Sequence, residues 1–176
     1  MRLQGIAPRA KLASMRKANI SEIPEEKSGS PSGKFCTIDK PLNQAIGGDS
    51  RSMDLTKRWP FDVELSRIPL GAANYPFHCH SAQCEFYLIV SGNATVRHKD
   101  GEAAAVAGDF FRFGPGEPHQ LINKGTGDVT YYCIADNPIN DHAYYPDSNK
   151  WSVQVPERSL IKGNRVDYYD GEDEAK

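Results

Sequence analysis

His78-Cys79-His80 is followed by Glu85 and, further along the chain, by His119. On an extended strand, side chains at i and i+2 share a face and sit about 6.6 Å apart. The two imidazoles can therefore bracket one cation, while Cys79 between them faces the other way. Glu85 adds a hard carboxylate oxygen, and His119 can return on a neighbouring strand as a third nitrogen. Three imidazoles and one carboxylate suit Mn, Fe, Co, Ni or Zn, and on an octahedral ion they leave two positions exchangeable. The chemistry to expect is Lewis-acid activation of a carbonyl, hydroxyl or carboxylate, or dioxygen activation with Fe(II). Phe77, Tyr87, Phe111 and Phe113 are apolar neighbours that can exclude water around such an ion. Burying these four groups without an ion would be costly.

The elements that must position these groups read as short strands. Val63 to Ile68 alternates apolar and polar residues, as a half-buried strand does. Phe77 to Cys79, Glu85 to Val90, Phe110 to Phe113, His119 to Ile122 and Val129 to Ala135 are further strand candidates. Ala94 to His98 and Glu102 to Val106 flank Lys99-Asp100-Gly101, where Asp-Gly signals a hairpin. Strands recurring about every eight to twelve residues, with no amphipathic helix between them, predict an all-β barrel or sandwich. Residues 1–33 read as a flexible N-terminal tail and 34–59 as a mixed segment packing on the barrel edge. Residues 60–136 are the barrel, and 137–176 are a C-terminal extension with an acidic end whose Tyr168-Tyr169 pair could dock on the barrel.

Composition narrows the partners. The chain has 176 residues, a net charge of −2, 39% hydrophobic and 25% charged residues, which suits one globular domain. That charge argues against a nucleic-acid partner. The longest apolar run, Phe86 to Val90, is far too short for a membrane span. The start carries Arg2, Arg9, Lys11, Arg16 and Lys17 without an apolar stretch, so a cytoplasmic location is expected. Cys36, Cys79, Cys84 and Cys133 lack paired spacing and are expected as reduced thiols.

Two motifs carry a family resemblance. Gly71, His78, His80, Glu85 and Gly92 form the first; Gly108, Gly114, Gly116, His119 and Asn123 form the second. Their order and separation resemble a single-domain cupin, with the likeness extending over about residues 60 to 136. Gly114 stands where the family usually has proline, and the leading Gly71 is displaced by one residue. Tyr144-Tyr145-Pro146-Asp147 and Tyr168-Tyr169-Asp170-Gly171 resemble an uncharacterised bacterial cupin group, some of whose members are labelled sugar-phosphate isomerase-like. The resemblance implies a double-stranded β-helix (jelly-roll) barrel with extended N- and C-terminal segments. It also implies one divalent transition metal (Zn, Mn, Fe or Ni) on His78, His80, Glu85 and His119, and a homodimer.

The leading functional expectation is a metal-dependent enzyme on a small polar metabolite such as a sugar, sugar phosphate or keto acid. Its reaction would be of isomerase/lyase or dioxygenase type. The alternative is a non-catalytic binding or sensing module that uses the metal to hold a small-molecule ligand. Gln83, Tyr87, Gln120 and Tyr131 are candidate substrate contacts. Glu117, Tyr87 and Tyr131 are candidates for a general base. His98 is expected to be exposed beside its turn, His142 to lie in a loop, and Cys133 to be a small buried apolar thiol, with a place facing the barrel interior as the alternative.

Overall fold

The computed structural model describes residues 15–49, 52, 54, 57–153 and 158–172. Thirteen strands dominate these residues, with one short α-helix (α1, Leu42–Ala45) and two 3-10 turns. The strands are β1 (Glu26–Gly29), β2 (Cys36–Pro41), β3 (Phe61–Ile68), β4 (Cys79–His80), β5 (Glu85–Ser91), β6 (Asn93–His98) and β7 (Gly101–Val106), then β8 (Phe110–Phe113), β9 (His119–Ile122), β10 (Val129–Asp136), β11 (Ala143–Tyr145), β12 (Lys150–Val153) and β13 (Ser159–Lys162). The all-β architecture expected from the alternation is the one observed. No helix among the described residues is long and apolar enough to cross a membrane.

One wall of the barrel is a six-stranded antiparallel sheet in the order β1-β2-β3-β10-β5-β8. The facing wall combines β7-β6-β9 with β13-β12-β11-β4. A bridge between His78 and His119 joins those two sheets. Two metal-ligand candidates are thereby brought side by side by backbone pairing, with His78 N–H donating to His119 O at 3.2 Å and His119 N–H to His78 O at 2.8 Å.

Alternation along the strands sets a gradient of polarity inside the barrel. On β10 the inward residues are Val129, Tyr131, Cys133 and Ala135, paired with Ile68, Ser66, Glu64 and Asp62 of β3. One end is closed by Ile68, Ile89, Val96, Leu121 and Val129, all buried. The other end is lined by Asp62, Glu64 and Ser66 and opens into a cavity of about 620 Å³. On β3 the polar residues therefore face inward, and Val63 and Leu65 take the outer face, where α1 packs against the strand.

Two expectations are corrected. The tail assigned to residues 1–33 is shorter, because Glu26–Gly29 pairs with Asp39–Cys36 as an edge strand. Ser28 Oγ and Thr37 Oγ1, 2.9 Å apart, reinforce that pairing. Residues 1–14, the greater part of the basic leader, lie outside the described residues. Tyr168 and Tyr169 do not dock on the barrel: both are exposed and pack edge-to-face on each other.

Candidate metal centre and its cavity

Backbone carbonyls two residues upstream orient His78 and His119, and a carboxylate distant in the chain orients His80 in the same sense. His78 Nδ1 is 2.8 Å from Pro76 O, His119 Nδ1 is 3.0 Å from Glu117 O, and His80 Nδ1 is 2.6 Å from Asp141 Oδ2. Carbonyl and carboxylate oxygens accept only, so each Nδ1 donates and each ring turns Nε2 toward the same centre. One ligand atom from each of His78, His80 and Glu85 lies within 4.8 Å of the other two, an arrangement that could hold a metal ion.

His119 reaches the cluster through Glu85, its Nε2 lying 2.6 Å from Oε2. The other carboxylate oxygen, Oε1, faces His80 Nε2 at 3.7 Å. Phe113 stacks on the His119 ring at 4.2 Å, nearly parallel, and fixes its plane. The hydroxyl of Tyr87 donates to Glu85 Oε2 at 2.9 Å and lies 3.3 Å from His119 Nε2.

Two features of this donor set fit a cation. His80 Nε2 is buried and has no hydrogen-bond partner, and an orphaned buried nitrogen is costly unless something occupies its lone pair. On His119 both ring nitrogens face oxygen atoms, yet a neutral imidazole donates from only one. The contact with Glu85 therefore requires a second proton or a cation in its place. Two imidazoles, a carboxylate and an adjacent third imidazole match Zn, Mn, Fe or Ni.

The electrostatics keep the carboxylate charged. Burial favours the neutral acid of Glu85, but the His119 hydrogen bond and the positive field of His119, His80 and His78 hold it down at about 2. Burial is also the main influence on His78, lowering it to about 4, so this imidazole is neutral near pH 7. On His80 burial is outweighed by Asp141 and Glu85, and the net displacement is upward. For Asp141 burial is outweighed by the His80 contact and the Ala82 and Gln83 amides, and its carboxyl falls well below the usual range.

Asp141 had no counterpart among the sequence candidates, although it contacts one of them directly. Besides His80, its Oδ1 accepts from Ala82 N at 2.9 Å, Gln83 N at 3.1 Å and Ser81 Oγ at 3.4 Å. It comes from a segment 61 residues away in the chain, with no local pattern to mark it. Tyr145 of β11 stacks on His78 at 5.8 Å and lines the same cavity.

The remaining candidates separate cleanly. Gln83 and Tyr131 line the cavity; Gln83 donates to Asp136 O through Nε2. Gln120 is buried and spends its amide on Tyr75 O at 2.6 Å, which makes it a brace. Cys133 lines the cavity, and burial pushes its thiol well up. None of the three candidate bases is placed for that role. Burial drives the phenols of Tyr87 and Tyr131 well above 10, so both keep their protons. Glu117 is exposed and accepts from Gly114 N. That bond also accounts for Gly114, since proline at this position would have no N–H to donate.

Residues 64–135 match the family model described as the cupin domain. No curated protein matches the sequence. Among solved structures, a protein of Acidithiobacillus ferrooxidans provisionally described as a sugar phosphate isomerase superposes with a TM-score of 0.71 at 22% identity, covering 84% of this chain and 91% of its own. A sugar phosphate isomerase of the cupin superfamily from Silicibacter pomeroyi gives 0.69 at 22% identity, covering 86% and 97%. A predicted oxalate decarboxylase of Thermotoga maritima gives 0.55 at 20% identity, covering 68% and 97%. At these identities the likeness is one of fold.

Proposed function

We infer that this chain, which carries a single cupin domain, is a metal-dependent enzyme that isomerises a small sugar or sugar phosphate held in the barrel mouth. The observation that carries this reading is the composition of the cavity. His78, His80 and Glu85 share it with the carboxylates Asp62 and Glu64 and with the guanidiniums of Arg58 and Arg158. A divalent ion on His78, His80, Glu85 and His119 would supply Lewis-acid polarisation of a substrate oxygen.

The other steps fall to the chain's own residues. Arg58 is anchored by bonds from Nε to Asn137 O and from Nη2 to Pro138 O, both 3.0 Å, so its charge stands at a fixed place in the wall. Together with Arg158 it favours a phosphate or carboxylate at one side of the mouth. Gln83 and Tyr145, half-buried in the cavity wall, offer hydrogen bonds to sugar hydroxyls, while Ser66 and Tyr131 are buried beneath it. Glu64, inward on β3 opposite Cys133, is the cavity carboxylate assigned to carry the proton between substrate carbons. The descriptions of the A. ferrooxidans and S. pomeroyi proteins name the substrate class to test first.

The experiment is turnover. The chain is loaded separately with Mn, Fe(II), Ni and Zn and offered sugar phosphates, free sugars and keto acids, with oxygen uptake followed in parallel. Conversion of a sugar or sugar phosphate without oxygen uptake is the expected result. Glu64→Gln should then lower kcat by about 10²–10⁴ with metal content unchanged. Oxygen consumption would move the assignment to a dioxygenase, and saturable binding without conversion under every metal would make the protein a binding module.

A further inference from the structure

The C-terminal segment beyond the cupin domain is built into the candidate centre. Its strand β11 pairs with β4, setting Ala143 opposite His80 and Tyr144 opposite Cys79. Ser81 N donates to His142 O at 2.8 Å, and His142 N to Ser81 Oγ at 2.8 Å. Asp147 clamps the segment to β6 through two bonds from Arg97, at 2.7 and 2.9 Å. At the centre of this contact lies Asp141, 5% exposed. One carboxylate oxygen takes His80 Nδ1; the other takes the amides of Ala82 and Gln83, which begin the turn leading to Glu85.

We propose that Asp141 is a positioning residue that presents His80 Nε2 to the metal and so couples docking of residues 141–153 to occupancy of the centre. The proposal rests on the metal reading above and adds to it a partner from outside the cupin domain. The reasoning is geometric. A carboxylate can only accept from Nδ1, which leaves the lone pair on Nε2, the atom that is buried without a protein partner. Because the same carboxylate holds the 81–83 turn, undocking the segment would release the tautomer of one ligand and the approach to another. Coupling of this kind is reciprocal: docking strengthens metal binding by the same factor by which metal strengthens docking.

Asp141→Asn separates this role from simple packing. The asparagine Oδ1 can still accept from Ala82 and Gln83, which places its Nδ2–H₂ against His80 Nδ1. That nitrogen must then accept, and the ring proton moves to Nε2. The test uses the full chain with Zn(II) as probe, comparing wild type, Asp141→Asn and His80→Ala. Three quantities are followed: zinc affinity against a competing chelator, amide hydrogen exchange at Ala143–Tyr145, and the ¹⁵N signals of the His80 ring.

In the wild type, zinc should slow exchange at Ala143–Tyr145 by about 10–100-fold, and apo His80 should carry its proton on Nδ1. Asp141→Asn should weaken zinc by about 10–100-fold, shift the His80 proton to Nε2 and abolish the zinc-dependent slowing. Wild-type zinc affinity in Asp141→Asn beside lost binding in His80→Ala would overturn the coupling and leave the metal reading standing. Failure of the wild type itself to bind zinc would overturn both. If Asp141→Asn does not fold, the wild-type exchange decides alone, and unchanged exchange at Ala143–Tyr145 on adding zinc overturns the proposal.

Discussion

Replacing Glu85 by glutamine tests the electrostatics of the centre without altering its shape. The carboxylate accepts from Tyr87 at 2.9 Å and from His119 at 2.6 Å, and is held at about 2 against a usual 4.5. A carboxyl depressed to this extent stabilises the fold by about 3 kcal/mol at neutral pH. Counting bonds gives a similar figure, since turning two charge-assisted hydrogen bonds into neutral ones forfeits about 2–3 kcal/mol. The sign follows from the depression: the contribution is complete above pH 4.5 and is lost as pH falls toward 2. About half should survive at pH 3. Urea unfolding of chelator-treated wild type and Glu85→Gln at a series of pH values measures the gap. It should be about 3 kcal/mol at pH 7 and narrow below pH 4.5. A gap that is absent at pH 7, or that stays constant down to pH 3, would refute the charge assignment.

Three further perturbations have defined outcomes. Asn123 is fully buried and makes three bonds, donating to Ile68 O and Gly127 O and accepting from Gly125 N. Asn123→Ala should cost about 3 kcal/mol in urea titrations yet leave zinc affinity within about twofold. Gly92 has φ +82, and an added Cβ would press on the Asp128 carbonyl; Gly108 has φ +93 with open space around it. Gly92→Ala should therefore lower Tm more than Gly108→Ala, whose loss is the backbone strain of about 1–2 kcal/mol alone. His80 is raised above 6.5, so its contribution to the apo fold is complete below pH 6.5 and is lost as pH rises through the folded value. His80→Gln in chelator should cost about 1.5–3 kcal/mol at pH 6 and progressively less toward pH 9 by urea unfolding.

Short-range spacing is what made the centre legible. His78, His80 and Glu85 lie within one hairpin's length, and the glycine-marked turns around His119 locate its strand, so local rules reach them. Asp141 lay beyond those rules because only the pairing of β11 with β4 brings it to His80. The alternation of residues 63–68 was visible, but not which face it buries. A half-polar barrel interior reverses the usual choice, and Glu64 and Asp62 were missed as cavity residues for that reason. Glu26–Gly29 looked like tail because an exposed edge strand, polar on both faces, carries no hydrophobic period. Glu117 invited a catalytic reading by proximity, whereas its carboxylate closes the turn of the second motif.

The sheet β13-β12-β11-β4 has an engineering consequence. Tyr145 and Ser152, two of the side chains that bound the mouth, belong to strands threaded after the cupin match ends. Trimming a gene at that boundary would leave the barrel with an open flank. Conversely, a library confined to positions 143–153 could reshape what enters the mouth while Asp141 and the buried end around Ile68 and Leu121 stay as they are.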